Sequence, residues 1–417
     1  MLERSYDAVV VGCGAAGMAA ALAVHDGGRS VAIFDREEAL GGILMQCIHN
    51  GFGVHEFGAD LTGPEFAERL IERVLAAEID VYRNTTVMEI SGGEGARMVT
   101  AVGREFGVLQ IRSRAVILAM GCRERNRGNV AIAGTRPSGI FTAGLAQRLM
   151  NIDGYLPGRR VVVIGSGDIG LIMARRLMLS GANVLGVVEI LPYPSGLARN
   201  ISQCLKDFSI PLHLSHVVTK ITGRDRVDGV EVTPLSGGTP EYSRSFRLDC
   251  DAVLLSVGLI PENELSKKAG VPLCDETGGP IVDADLMTGV PGIFACGNVL
   301  HVHDLVDYAV EESRRCGAAV CRNLAGGRSR QYRLGPGTNV RSVTPNFYAP
   351  RQENTLYLRS LIVKRDAVLS LRIGEVEVKR RKLAHVQPSE MIRLTLRPED
   401  FPDLDGSREN VMEAHIQ

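Results

Sequence analysis

The sequence predicts an α/β fold: two βαβ dinucleotide-binding units with parallel sheets, followed by a small all-β module. Three observations predict it. The pattern G-x-G-x-x-G occurs twice, as Gly12-Cys13-Gly14-Ala15-Ala16-Gly17 and as Gly165-Ser166-Gly167-Asp168-Ile169-Gly170. Each copy follows an apolar run and opens a stretch of small and apolar residues with helical character. Beyond residue 330 the chain changes to short alternating runs that read as strands.

In chain order, residues 7–11 read as a buried strand and 15–25 as a helix that Gly27-Gly28 would end. Residues 30–34 read as the second strand, finishing at Asp35. Residues 79–116 contain alternating runs that predict a small antiparallel insertion, and 115–119 a buried strand. The polar stretch 123–128 reads as a linker. The second unit repeats the layout. Residues 161–164 form a strand, 169–179 a helix stopped by Ser180-Gly181, and 183–188 a strand ending at Glu189. Residues 250–258 read as another buried strand, and 306–324 as a helix. The runs 356–363, 368–373, 375–378 and 391–396 make the terminal β module, and the acidic tail is expected to fray.

The glycines carry a physical reason. The first makes a tight strand-to-helix turn, the second lets backbone approach a pyrophosphate, and the third packs helix against strand. The helix start then offers unpaired N–H groups and the positive end of its dipole to phosphate. An acid about 20 residues further on accepts the hydroxyls of an adenosine ribose; Asp35 and Glu189 stand there. A carboxylate at Glu189 repels a 2′-phosphate, which predicts NAD(H) over NADP(H).

The chain has 417 residues, a net charge of −1 and nine scattered cysteines without a C-x-x-C pair. That length predicts two or three domains. The near-zero charge argues against nucleic acid and anionic membrane surfaces. No run of about 20 apolar residues predicts a membrane span. The first strand starts next to Met1, so no signal peptide and a cytoplasmic location are expected. Scattered cysteines fit a reducing compartment.

Further motifs carry a resemblance. Gly41-Gly42 follows Asp35, Ala119-Met120-Gly121 ends a strand, and Ser256-Val257-Gly258-Leu259-Ile260-Pro261 ends another. Gly292-Ile293-Phe294-Ala295-Cys296-Gly297-Asn298 comes after them. Over residues 5–325 this set resembles the pyridine nucleotide–disulfide oxidoreductase superfamily, flavoproteins of glutathione-reductase type. The resemblance implies a discontinuous FAD domain, 1–123 and 250–328, around an NAD(H) domain, 124–249; the β module is then 331–405 and the tail 406–417. It implies FAD at Gly12, Gly14, Gly17, Asp35, Gly41, Gly42, Ala119, Gly121, Gly297 and Asn298, and NAD(H) at Gly165, Gly167, Gly170, Glu189 and Gly258. The stretches 41–53 and 297–304 are similar to a narrower branch: flavoproteins accompanying glycerol-3-phosphate dehydrogenase-like subunits, and α subunits of dye-linked proline, opine and cyanide-forming dehydrogenases. That branch implies a second flavoprotein and a cysteine-rich iron–sulfur protein as partners.

Departures from the family pattern matter too. No cysteine pair stands where the family has its dithiol, Ile172 replaces a common Glu, and Asn298 stands where Asp is usual. Asn still donates to and accepts from a hydroxyl. Candidates near the flavin are Cys47, beside His49, and His303; Asp304 fits an N-cap of the following helix. A packed thiol and a solvated histidine are the plainer readings of Cys47 and His303. No metal is expected, because neither Cys47-x-His49 with His55 nor His301-x-His303 with Asp304 has structural-zinc spacing. Lys379-Arg380-Arg381-Lys382 reads as a solvated face, or else as a docking patch for an acidic partner.

The expected activity is hydride transfer between NAD(H) and bound FAD, with electrons leaving to a small acceptor or partner. Two alternatives stand beside it. One is an electron-transfer or scaffold subunit of a glycerol 3-phosphate or amino acid dehydrogenase. The other is a peroxide-forming NADH oxidase.

Overall fold

Strand β1 (Leu2–Val11) ends in a run, Ala8-Val9-Val10-Val11, that is apolar on both faces, with Ala8, Val9 and Val10 fully covered. Such a run belongs at the centre of a parallel sheet. In the computed structural model, which describes residues 2–327, 329–402 and 410–417, the chain divides into two units, Met1–Cys122 with Pro261–Gln417, and Arg123–Ile260. In the first unit β1 is followed by α1 (Ala15–Asp26), β2 (Val31–Phe34), α2 (Gly63–Ala76), β3 (Asp80–Tyr82), β4 (Thr85–Gly93), β5 (Ala96–Gly103) and β6 (Gly107–Leu118). The sheet order is β3-β2-β1-β6-β5-β4. β1 pairs in parallel with β2 on one side and β6 on the other. Strand order therefore reverses at β1, and the carboxyl end of such a strand is where open α/β sheets bind ligands.

The antiparallel strands are not a separate insertion. The first half of β6 pairs antiparallel with β5, while β6 also pairs in parallel with β1 along its length. One long strand thus fuses the β4–β5 hairpin to the main sheet, and β3 joins the other edge in parallel with β2.

The second unit holds β7 (Ile140–Thr142), α3 (Ala143–Asn151), β8 (Arg160–Ile164), α4 (Asp168–Leu179), β9 (Asn183–Glu189), β10 (Leu212–Leu214), the antiparallel pair β11 (His216–Gly223) and β12 (Val227–Ser236), and β13 (Ala252–Leu255). The parallel sheet order is β7-β13-β8-β9-β10. This corrects the expected border at residue 250. All four residues of β13 are buried and need strands on both sides, which β7 and β8 supply. The chain returns to the first unit only at Pro261.

There, β14 (Ile293–Ala295) pairs with the end of β6, and α5 (Val306–Leu324) packs on α1. The β module follows as β15 (Tyr332–Pro336), β16 (Val340–Thr344), β17 (Asn354–Ser360), β18 (Lys364–Ile373), β19 (Val376–Val386), β20 (Met391–Leu396) and β21 (Met412–Ile416). β16, β17 and β20 form one sheet. β15, β21, β18 and β19 lie in that order in another. The basic run 379–382 lies on β19, the edge strand of that sheet, where charge discourages strand addition. Lys379 pairs with Asp400 at 2.6 Å.

The tail is a second correction. Residues 403–409 lie outside the described residues, but β21 is an inner strand, parallel to β15 and antiparallel to β18. Met412, Ala414 and Ile416 are fully buried. Three alternating apolar residues outweigh the fraying expected of a terminus. Removing residues 410–417 is therefore expected to unfold the module, read as rapid proteolysis of residues 331–402. Among the described residues no helix is long and apolar enough to cross a membrane.

Candidate functional site

Both glycine turns have the same geometry, each within its own unit. Gly12 adopts φ +107°, and a Cβ there would strike the carbonyl of Ala119 at the end of β6. A Cβ at Gly17 would strike the carbonyl of Gly12. At Gly14, by contrast, a Cβ would meet nothing within 4 Å. In the second unit Gly165 adopts φ +91° and abuts the Ser256 carbonyl, and a Cβ at Gly170 would lie 2.6 Å from Ser256 Cβ. At Gly167 it would make only ordinary contacts, the nearest at 3.5 Å. The outer glycines of each triplet are thus demanded by the protein's own packing. The middle glycine faces room that the protein leaves open, and at Gly14 that room lies before the N-terminus of α1.

Around the first turn, Gly41 adopts φ +100° and donates its N–H to the Cys13 carbonyl at 3.0 Å. A Cβ on Gly42 would lie 3.2 Å from Gly14 Cα. Asp35 accepts from the N–H of Cys13 at 2.5 Å and of Glu37 at 2.8 Å. A cavity of about 350 Å³ opens beside Gly12 and Asp35, lined also by Thr86, Met120 and Lys268. Gly121, φ +72°, has open space where a Cβ would be. These features fit the nucleoside and pyrophosphate of a dinucleotide.

The second acid is held by the protein's own donors. Glu189 is buried. Its Oε2 accepts from Ser166 N at 2.8 Å, Ser166 Oγ at 2.5 Å and Ser195 Oγ at 3.1 Å, and its Oε1 from Leu191 N at 3.0 Å. The loop that supplies Ser195 also sets Gly196 against the turn, where a Cβ would lie 2.9 Å from the Ser166 carbonyl. Asp168 accepts from Leu197 N at 2.8 Å and Asn200 Nδ2 at 2.6 Å, pinning the far end of the loop. Gly258 adopts φ +99°.

The Gly297–Asn298 pair reaches the first turn: a Cβ on Gly297 would lie 2.6 Å from Ala16 Cβ. Asn298 Oδ1 accepts from His303 N at 3.0 Å, and its Nδ2 contacts Cys122 Sγ at 3.6 Å. Glu312, on α5 and without exposure, receives Gly297 N on Oε1 at 2.7 Å. It also lies 2.7 Å from His301 Nε2 and 3.2 Å from His303 Nε2. Burial alone pushes the Glu312 carboxyl up; the two imidazoles outweigh burial and hold it below the usual carboxylate range. Burial pushes His301 toward its neutral form. Both rings pack near Tyr357 of β17, with centroids at 5.3 and 5.2 Å.

Asp304 is not the helix cap. α5 starts at Val306 with Leu305 in the cap position, and Asp304 instead pairs with Arg359 and accepts from Met391 N at 2.6 Å. Asp307, in the first turn, accepts from the N–H groups of Gly53, His55 and Glu56 at 2.8–3.2 Å. That ties the loop carrying Cys47 and His49 to α5.

Cys47 contacts the Ile43 carbonyl at 3.3 Å, and burial pushes its thiol up to about 12. A thiol so placed is a poor nucleophile. Cys47→Ser is accordingly expected to leave flavin reduction by nicotinamide within about twofold of the parent, measured by anaerobic stopped flow. His49 lies against Phe52, ring centroids 5.0 Å apart. The structure does join two thiols that sequence spacing kept apart: Cys296 and Cys316 touch, both without exposure. Burial holds Cys316 well above the ordinary thiol range, and thiol–disulfide exchange needs a thiolate and access.

Sequence reading missed Glu312, Asp307, Ser195 and Tyr357. Glu312 had a signal: it is the acid in the buried stripe Ala309, Ser313, Cys316 and Val320 of α5. Asp307 and Tyr357 depend on chain segments far apart in sequence, and Ser195 on a loop that folds back onto the second turn.

A family model described as pyridine nucleotide-disulphide oxidoreductase matches residues 6–313. An opine oxidase subunit from Agrobacterium tumefaciens (strain Ach5) is 27% identical over 320 residues, covering 71% of this chain and 62% of that protein. Hydrogen cyanide synthase subunit HcnB of Pseudomonas protegens is 28% identical over 291 residues, covering 64% of this chain and 59% of that protein. The chain thus spans less than two-thirds of these relatives. The thioredoxin reductase of T. acidophilum superposes with a TM-score of 0.64 at 25% identity, over 77% of this chain and 99% of that one.

Proposed function

This chain belongs to the pyridine nucleotide–disulphide oxidoreductase family of FAD- and NAD(P)-dependent oxidoreductases, and from that premise we propose that it passes hydride between NAD(H) and bound FAD. Electrons then leave to a small acceptor or a partner protein without a redox dithiol. The observation that carries this reading is the open middle glycine, Gly14 and Gly167, in two turns whose outer glycines are closed by packing. FAD would lie along Gly12, Gly14, Gly17, Asp35, Gly41, Gly42, Ala119, Gly121, Gly297 and Asn298. The nicotinamide dinucleotide would use Gly165, Gly167, Gly170 and Gly258, with Glu189 acting beneath the turn by its charge to favour NAD(H). When bound, FAD supplies the two-electron chemistry. The residues named bind and orient it, and the N-terminus of α1 meets its phosphates. Cys47 and His49 remain candidates for the flavin's surroundings rather than for covalent chemistry.

The test is an anaerobic spectral titration of the purified chain with NADH and then NADPH. Bleaching of the yellow flavin band by NADH supports the reading. A bound flavin that stays yellow in excess of both nicotinamides defeats it.

A second reading has its own observation. Ser166, Ser195 and Leu191 already occupy the Glu189 carboxylate, so the second turn carries its own latch. Two relatives are themselves subunits of larger enzymes. On this reading the chain is an electron-transfer subunit in a complex that includes a second flavoprotein and a cysteine-rich iron–sulfur protein, with a cytoplasmic location. A native complex that oxidises glycerol 3-phosphate or an amino acid, from which the isolated chain emerges inert to NADH, would favour it.

A further inference from the structure

The acids that follow the two glycine turns are held alike up to a point. Asp35 accepts from the N–H of Cys13, one residue past Gly12, and of Glu37, two residues past itself. Glu189 accepts from the N–H of Ser166, one residue past Gly165, and of Leu191, two residues past itself. An ionised carboxylate offers about four lone-pair sites. Asp35, on the wall of the cavity in the first unit, therefore keeps capacity for the hydroxyls of a ribose. Glu189 keeps none. Ser166 Oγ at 2.5 Å and Ser195 Oγ at 3.1 Å take its remaining sites.

Ser195 belongs to a strap, residues 190–200, that leaves the end of β9 and crosses the second turn. Its start is fixed by Leu191, whose N–H donates to Glu189 and whose carbonyl accepts from Ser215 N at 3.0 Å. Its far end is fixed on α4, where Asp168 accepts from Leu197 N and Asn200 Nδ2. Between these anchors Pro192 and Pro194 fix φ and stiffen the chain. Ser195 N donates to Ser166 Oγ at 2.8 Å, and the two hydroxyls lie 3.1 Å apart. A Cβ at Gly196 would lie 2.7 Å from Leu171 Cδ1 and 2.9 Å from the Ser166 carbonyl oxygen, so the strap backbone rests directly on the turn. Gly167, by contrast, has its nearest neighbour at an ordinary 3.5 Å. The phosphate end of the turn is open and its ribose end is covered.

We propose that the strap is a latch over the second turn, and that Ser195 sets coenzyme affinity by holding the Glu189 lone pair that a ribose hydroxyl takes when the latch opens; this rests on the nicotinamide reading above. The exchange at the carboxylate is even, one O–H leaving as another arrives. A carboxylate that is 4% exposed needs donors with or without coenzyme, and the serines supply them. The cost of opening lies in the Ser195 N–Ser166 bond and the packing of Gly196. Apparent affinity falls by the fraction of chains that are open. The charge of Glu189 stays at the turn in both states, so its repulsion of a 2′-phosphate does not depend on the latch. Ser195 is a positioning residue.

The test is calorimetric titration of the oxidised, FAD-loaded chain with NAD⁺, a pair between which no hydride moves. Ser195→Ala removes the latch hydroxyl and leaves Glu189 its donors from Ser166 and Leu191. It is expected to tighten NAD⁺ about 3- to 10-fold, the worth of one hydrogen bond. Gly196→Ala drives a methyl against the Ser166 carbonyl, at a backbone position outside the left-handed region, and is expected to tighten NAD⁺ in the same direction. A serine that merely braces the turn, or that touches the coenzyme, predicts weaker binding in Ser195→Ala. If Gly196→Ala does not fold, Ser195→Ala decides alone. Unchanged or weaker binding by Ser195→Ala, beside a parent that binds NAD⁺, overturns the latch and leaves the nicotinamide reading intact. A parent that binds no NAD⁺, beside a Ser195→Ala chain that does, supports the latch. Failure of parent and variants alike to bind NAD⁺ or NADP⁺ overturns the reading beneath and the latch with it.

Discussion

Gly14→Val is expected to give a folded, colourless protein, whereas Gly17→Val is expected not to fold. Valine at 14 keeps an accessible backbone, because φ is −76° there, and a Cβ at that place meets no atom within 4 Å beyond its own chain neighbours. That space fronts the first N–H groups of α1, so bulk there displaces phosphate rather than protein. A Cβ at 17 would instead sit inside hard contact with the Gly12 carbonyl, backbone that cannot yield. Circular dichroism and thermal melting read the fold, and absorbance near 450 nm reads the flavin. A yellow Gly14→Val protein would mean that the open space is not a phosphate site. The equivalent pair in the second unit is Gly167→Val and Gly170→Val, with loss of nicotinamide binding as the expected result for the first.

Glu312→Ala is expected to cost about 3–5 kcal/mol, as removal of one partner from a buried ionic cluster does. It leaves Gly297 N, His301 and His303 without their acceptor in a site closed to water. Its neighbour Glu311 provides the control. The Glu311–Arg393 pair is about one-third exposed on both sides, so Glu311→Ala is expected to cost less than about 1 kcal/mol. Urea midpoints of the two variants measure the contrast, and equal midpoints would refute the charge argument. The pH dependence has a definite sign. The folded-state carboxyl of Glu312 is depressed, so its stabilisation is present above the unfolded carboxylate value, about 4.3, and is lost only as pH falls through the lower folded value. His301 is also depressed. Its neutral folded form loses stability as pH drops below about 6.5, where the unfolded chain takes up the proton first.

The glycine turn of the candidate site in the first unit was legible because local chemistry repeats. Gly12, Gly14, Gly17 and Asp35 lie within one strand–helix–strand segment, and steric demands inside that segment dictate their types. The same holds for Gly165, Gly167 and Gly170. Glu189 was legible as an acid at a strand end but not as a buried one, since its burial depends on Ser195 in the following loop. The module's strands showed by their alternation. The inner place of β21 did not, because strand order is set by contacts with β15 and β18, and not by anything within Met412–Ile416.

Sequence alone determined the two turns, because a turn's sterics reach only a few residues along the chain. Tertiary structure alone decided that a carboxylate on α5 would meet two histidines from the loop before it and become the charged, buried neighbour of Gly297 and Asn298. A buried charge is tolerated only where separate chain segments close over it and supply its partners, and no pattern read along the chain records that closure.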